Sequence, residues 1–142
     1  MPSDPVLKAM NTVHRFLLTV SGGRLGWEAA RMPVLELTTT GCKSGGLHSV
    51  LLTSPVQEGP AIVIVASRGG DDRHPAWFLN LVKNPEVEVA MKGQTRRMRA
   101  RVAGPEERAR LWPRVVAAYQ NYGNYQAKTE REIPLVLLEP MR

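Results

Sequence analysis

Cysteine is almost absent from this 142-residue chain. Cys42 stands alone, which excludes an internal disulfide and a cysteine-built metal site. Histidine is equally sparse: His14, His48 and His74 are scattered and lack the i, i+4 pairing of a helical zinc site, so no metal is expected. Long hydrophobic runs are missing too, and no segment approaches the ~20 apolar residues that span a bilayer. Met1-Pro2-Ser3-Asp4 lacks the basic start and apolar stretch of a secretory leader, so the cytoplasm is the expected compartment. There is no internal repeat, low-complexity tract or linker, and residues 1–142 suit a single domain with a real core. Acidic residues are the minority: 13 Asp and Glu face 19 Lys and Arg, for a net charge of +6. That balance admits nucleic acid, anionic lipid or an acidic small molecule as partner. Nucleic acid is disfavoured, because no aromatic residues interleave Arg96, Arg97, Arg99 and Arg101 and no binding motif is present.

What is there reads as short elements in sequence. Pro5 to Val20 has apolar residues at helical spacing (Val6, Met10, Val13, Phe16, Leu17, Val20), with Ser3 or Asp4 as cap and Ser21-Gly22-Gly23 as stop. It is expected to pack on the core, with contact to a membrane surface as the sharper alternative. Strands are expected over Pro33–Thr40, His48–Val56, Ala61–Ser67, Glu86–Lys92, Thr95–Ala103 and Ile133–Glu139, the fourth and fifth forming a hairpin around Gly93. Helices are expected over Pro75–Lys83 and Pro105–Tyr119, the latter opened by Pro-Glu-Glu and kinked at Pro113. Six strands joined largely by short turns suggest an antiparallel sheet that closes on itself.

The chemistry concentrates in four segments. Leu37-Thr38-Thr39-Thr40 runs into Gly41-Cys42-Lys43-Ser44-Gly45, a turn with two glycines, a hydroxyl and an ammonium. Such a turn suits an anion. It is not a P-loop, since the lysine lies between the glycines, and a plain hairpin with a solvated lysine is the alternative. Ser67-Arg68-Gly69-Gly70 follows the most apolar strand. His74-Pro75-Ala76-Trp77-Phe78-Leu79-Asn80-Leu81 comes next, followed by Lys83-Asn84-Pro85. Last come Glu107-Arg108-Ala109-Arg110-Leu111-Trp112-Pro113, the tyrosines Tyr119, Tyr122 and Tyr125, and Arg131-Glu132-Ile133-Pro134. The tyrosines fall on one broad helical face, but Gly123 weakens a regular helix there, which favours a mobile lid.

In this order and spacing the segments resemble the deazaflavin-dependent nitroreductase family, small reductases that use reduced coenzyme F-420, an 8-hydroxy-5-deazaflavin. The resemblance covers about Val34 to Pro140. It implies a split β-barrel: α+β, mainly β, with six to seven antiparallel strands and flanking helices. The barrel would occupy 33–142, after the N-terminal amphipathic helix within 1–22. The implied cofactor is F-420, ahead of FMN, and the implied reaction is hydride transfer to a quinone, activated enone or nitro compound. The cofactor's tail carries a phosphate and a chain of glutamates, which a basic protein suits.

The resemblance also assigns residues. Cys42, Lys43 and Ser44 would hold the phosphate end. His48, Ser49, Val50, Leu51 and Leu52 would line the cofactor, as would Val65, Ala66, Ser67 and Arg68, and then Ala76, Trp77, Phe78, Leu79 and Asn80. Tyr119, Tyr122 and Tyr125 would lie over ring and substrate as the catalytic group. This chain departs from the family at Cys42 and His48, where arginine is usual, and at Gly46 and Leu47, where a basic residue and proline are usual. Arg68 keeps the charge of a common lysine, and Phe78 loses only the hydroxyl of a common tyrosine. The departures bear on the affinity for the acidic tail. Two rival readings are a non-catalytic FMN or deazaflavin carrier or sensor, and a basic binder of nucleic acid or anionic lipid. Split barrels often pair, so a homodimer stays open.

Overall fold

A computed structural model describes residues 32–141. The expected helix over Pro5–Val20 lies outside them. The elements run β1 (Val34–Thr40), β2 (Leu47–Thr53), β3 (Val56–Glu58), β4 (Ala61–Val65), α1 (Ala76–Lys83), β5 (Glu86–Met91), β6 (Gln94–Val102), α2 (Pro105–Ala118), α3 (Asn121–Lys128) and β7 (Leu135–Pro140). The strands form one seven-stranded sheet in the order β2-β1-β5-β6-β7-β4-β3, and every pairing is antiparallel.

The expected strand His48–Val56 is in fact two, and this is the key to the curvature. β2 and β3 lie at opposite edges of the sheet, yet only Ser54 and Pro55 separate them. So short a link reaches about 11 Å at most. The two edges must therefore meet at this corner, and the sheet curls into a half-barrel. Ser54 holds the corner. Its N–H donates to Pro33 C=O at 3.0 Å, and its buried hydroxyl donates to Val63 C=O at 2.6 Å. Gln57 Nε2 in turn donates to that hydroxyl at 2.9 Å.

Strand composition follows from how many faces are covered. Ile62, Ile64, Val136 and Leu138 pack inside the curl with Leu35, Leu37, Val87, Val89, Met98 and Ala100, closed at one end by Phe78 and Leu81 of α1. Val63, Val65, Leu135 and Leu137 point the other way, onto Leu111 and Val115 of α2 and Tyr122 of α3. β4 and β7 are thus covered on both faces and read as continuous apolar runs. β5 and β6 are covered on one face and alternate, leaving Glu86, Glu88, Arg97 and Arg99 outside. Each buried aliphatic side chain contributes about 1.5–3 kcal/mol, against at most about 1 kcal/mol for an exposed ion pair. The pairs of Arg101 with Glu107, and of Glu58 with Arg110 and Arg114, therefore tie α2 to the sheet, and that of Arg101 with Glu139 links β6 to β7, without deciding the fold. Among the described residues no helix is long and apolar enough to cross a membrane.

Candidate active site

At the corner where β2 gives way to β3, the end of β4 and the tyrosine helix enclose a cavity of about 380 Å³. Val34, Leu51 and Leu52 form its β1–β2 wall, with Thr53 at the strand end; Val65, Ser67, Arg68 and Gly69 form the β4 side. Pro75 and Trp77 close it from α1, and Tyr119, Tyr122 and Tyr125 from the other side. The volume falls in the range of small-molecule sites, and a mainly apolar wall with a few grouped polar atoms is their usual construction.

Tyr122 and Tyr125 sit on α3, and Tyr119 caps the end of α2. Gly123, expected to interrupt a helix, lies within α3, where a Cβ would meet Val116 at an ordinary 3.5 Å. The tyrosine rings form an edge-to-face stack. Ring centroids are 5.2 Å apart for Tyr119 and Tyr122 and 6.1 Å apart for Tyr122 and Tyr125. Tyr122 is 6% exposed and its hydroxyl lies 3.2 Å from Thr53 Oγ1. Burial pushes the Tyr122 phenol up from its ordinary value, as burial and then the Tyr119 hydroxyl do for Tyr125. At neutral pH both are neutral hydrogen-bond donors, not bases.

The β4–α1 loop is built to a tight tolerance. Arg68, Gly69 and Gly70 have positive φ (47°, 64° and 87°). Gly70 is the position that cannot carry a side chain, because a Cβ would stand 2.8 Å from the Tyr125 carbonyl oxygen. The loop and α3 thus meet backbone to backbone. His74 stacks on Phe78 at 4.7 Å, and burial, followed by the charge of Arg131, holds it below the ordinary histidine pKa.

The glycine turn lies apart from the cavity. Asn80 reaches it from α1, accepting from Cys42 N–H at 3.0 Å and donating to Thr39 Oγ1 at 3.1 Å. Lys83 Nζ donates to Cys42 C=O at 3.0 Å. His48 and Ser44 pack on Gly41, with His48 Nε2 and Ser44 Oγ each 2.9 Å from where a Cβ would be, so a side chain there would displace them. The N–H groups of Gly41, Gly45 and Gly46 are used within the turn. Those of Lys43 and Ser44 have no acceptor among the described residues. The exposed turn therefore retains two backbone donors beside the ammoniums of Lys43 and Lys83, at the far end of α1 from Trp77, about 9 Å along the helix.

Nine of the residues named from sequence meet at the cavity: Leu51, Leu52, Val65, Ser67, Arg68, Trp77, Tyr119, Tyr122 and Tyr125. Cys42, Lys43 and Ser44 belong to the separate turn, and His48, on β2, packs against it. Others lie outside the residues that line the cavity. Val50, Ala66 and Phe78 belong to the inner core, and Asn80 is buried and occupied by the turn. Ala76 and Leu79 face solvent, and Ser49 shares a hydrogen bond with Thr38 on the outer face. Sequence reasoning missed Val34, Thr53, Gly69 and Pro75. Thr53 had a signal, since it lies two residues beyond Leu51 on the same strand face.

Comparison with known proteins agrees with this architecture. A family profile described as F-420H(2)-dependent quinone reductase matches residues 10–140. An F-420H(2)-dependent quinone reductase of Mycobacterium tuberculosis is 38% identical over 130 residues, covering 89% of this chain and 87% of that protein. The solved structure of an F-420-H2 dependent reductase (FDR-A) is 41% identical, covers 75% of this chain and 94% of its own, and superposes with a TM-score of 0.68. A second solved structure, described as a domain-swapped dimer, is 34% identical, covers 88% of this chain and 98% of its own, and also gives 0.68.

Proposed function

The chain belongs to the F-420H(2)-dependent quinone reductase family, and on that premise we propose that it reduces a quinone with hydride from reduced coenzyme F-420, bound in the cavity at the β2–β3 corner. The observation that carries this reading is the cavity itself: about 380 Å³, lined by Leu51, Leu52 and Trp77 on one side and by three tyrosines and the residues after β4 on the others. A flat deazaflavin fits such a wall, and unpartnered donors at Lys43 and Ser44 fit an anionic tail. When bound, the reduced cofactor supplies the hydride. The protein's part is placement, exclusion of water and stabilisation of charge. Leu51, Leu52, Val65 and Trp77 hold a ring against the corner. Arg68 and Lys43 offer positive charge to the tail. Tyr122, with Tyr119 and Tyr125 beside it, donates a hydrogen bond to the acceptor's carbonyl oxygen as negative charge builds there. Activated enones and nitro compounds present the same kind of oxygen to these donors.

The reading extends to assembly: a relative that swaps domains suggests that two copies of this chain pair, which light scattering would decide. The test of activity is the oxidation of reduced F-420 by a soluble naphthoquinone under anaerobic conditions. Quinone-dependent return of the oxidised chromophore is expected. Binding without turnover across quinones, enones and nitro compounds would instead support a carrier.

A further inference from the structure

Arg131 lines neither the cavity nor the glycine turn, yet its guanidinium gathers the backbone at the end of β4. Nη2 donates to Ser67 C=O at 2.9 Å, and Nη1 and Nη2 both reach Ala66 C=O at 3.2 Å. Nε donates to Asp71 C=O at 2.8 Å, and Nη1 lies 3.2 Å from His74 Nδ1. The arginine is itself fixed from behind, because Gln126 Nε2 donates to its carbonyl at 2.7 Å and Arg108 Nη2 donates to Gln126 Oε1 at 3.1 Å.

A trans peptide points its C=O and the following N–H in opposite directions, and every described peptide here is trans. With the carbonyls of Ala66 and Ser67 turned onto Arg131, the N–H groups of Ser67 and Arg68 are turned away from it. Ser67 and Arg68 line the cavity and Arg131 does not. Ser67 is 8% exposed, and neither N–H has an acceptor among the described residues. Buried backbone donors are nearly always paired, so the Ser67 N–H, with that of half-buried Arg68 beside it, is set for an oxygen that enters the cavity. Ser67 in the right-handed region followed by Arg68 at φ 47° is also the backbone sequence of an anion-binding nest.

We propose that Arg131 is a positioning residue: it turns the Ser67 and Arg68 N–H groups into the cavity as a two-donor site for a ring oxygen carrying negative charge in the bound deazaflavin. This rests on the F-420 reading above. It predicts that the ring's acidic hydroxyl, followed by visible absorption against pH, ionises about one pH unit lower in the wild-type complex than free in solution, the size of one hydrogen bond to a charged acceptor.

Arg131→Lys separates geometry from charge. Lysine keeps the positive charge but has no planar fork to gather three carbonyls. The expected result is a ring midpoint returned to the free value in Arg131→Lys and Arg131→Met, with circular dichroism unchanged and F-420 still bound through its tail. A wild-type midpoint in Arg131→Lys would show that charge alone acts and would overturn the positioning role. A wild-type complex whose midpoint equals that of free cofactor would overturn the two-donor site. No binding of F-420 by the wild type is a separate outcome that overturns both inferences, by removing the reading on which this one rests.

Discussion

Tyr122 makes its hydrogen bond from inside the core. Its ring packs with Leu111, Val115 and Leu135 while its hydroxyl meets Thr53 Oγ1 at the cavity wall. Tyr122→Phe keeps the packing and removes one donor. Turnover is expected to fall roughly tenfold, the equivalent of one hydrogen bond to developing charge, with F-420 affinity nearly unchanged. Stopped-flow quinone reduction measures it, and an unaltered rate would take Tyr122 out of the mechanism. His74 gives a second residue-scale prediction. It accepts at Nδ1 from Arg131, and its pKa is lowered from 6.5 by burial and then by that charge. The unfolded chain therefore takes up this proton at a higher pH than the folded one. Its contribution is complete above the ordinary histidine pKa and declines as the pH falls from about 6.5 towards the lowered folded value. Urea midpoints of wild type should fall over that interval more steeply than those of His74→Gln. Parallel curves would contradict the assignment.

Elements constrain one another most tightly where the β4–α1 loop meets α3. Gly70→Ala must place a methyl 2.8 Å from the Tyr125 carbonyl at φ 87°, so either the loop or the helix must shift. A loss of about 2 kcal/mol is expected by thermal or urea unfolding, with weakened F-420 binding because Tyr125 moves too. A variant as stable as wild type would show that the two elements do not meet as described. This contact was not legible in the sequence, which showed a Gly-Gly pair without the partner that requires it. Alternation was legible in β6, where Met98 and Ala100 face the core, although Val102, in phase with them, is 44% exposed at the strand end. Continuous hydrophobicity over Ala61–Val65 likewise announced a strand covered on both faces. The break at Ser54-Pro55 was not, because strand propensity continues to Val56 and only the tertiary corner separates the two edges. At Gly123, packing of Tyr122 outweighed a glycine penalty of about 1 kcal/mol and kept α3 helical.

At the scale of the molecule, the net charge of +6 is distributed unevenly. Arg97, Arg101, Arg110 and Arg114 are paired with carboxylates, whereas Lys43 stands exposed on the glycine turn. Lys43→Ala should weaken F-420 binding about fivefold at low salt, and the difference should vanish near 1 M salt, where screening reaches about 3 Å. A salt-independent effect would mean that the turn acts by shape. The candidate site was half legible for a related reason. Motif spacing located the tyrosines, Trp77 and the Ser67–Arg68 loop. It could not distinguish a lining residue from one that supports the lining from behind, as Phe78 and Arg131 do, or from one that braces the separate turn, as Asn80 does. The central claim is that the cavity at the β2–β3 corner takes a deazaflavin. Its most direct test is a fluorescence titration of the protein with oxidised coenzyme F-420, run beside FMN at equal concentrations, with Trp77→Ala in parallel. Saturable F-420 binding that exceeds FMN binding and weakens in Trp77→Ala is the predicted result. Preference for FMN, or F-420 binding indifferent to Trp77, would contradict the account.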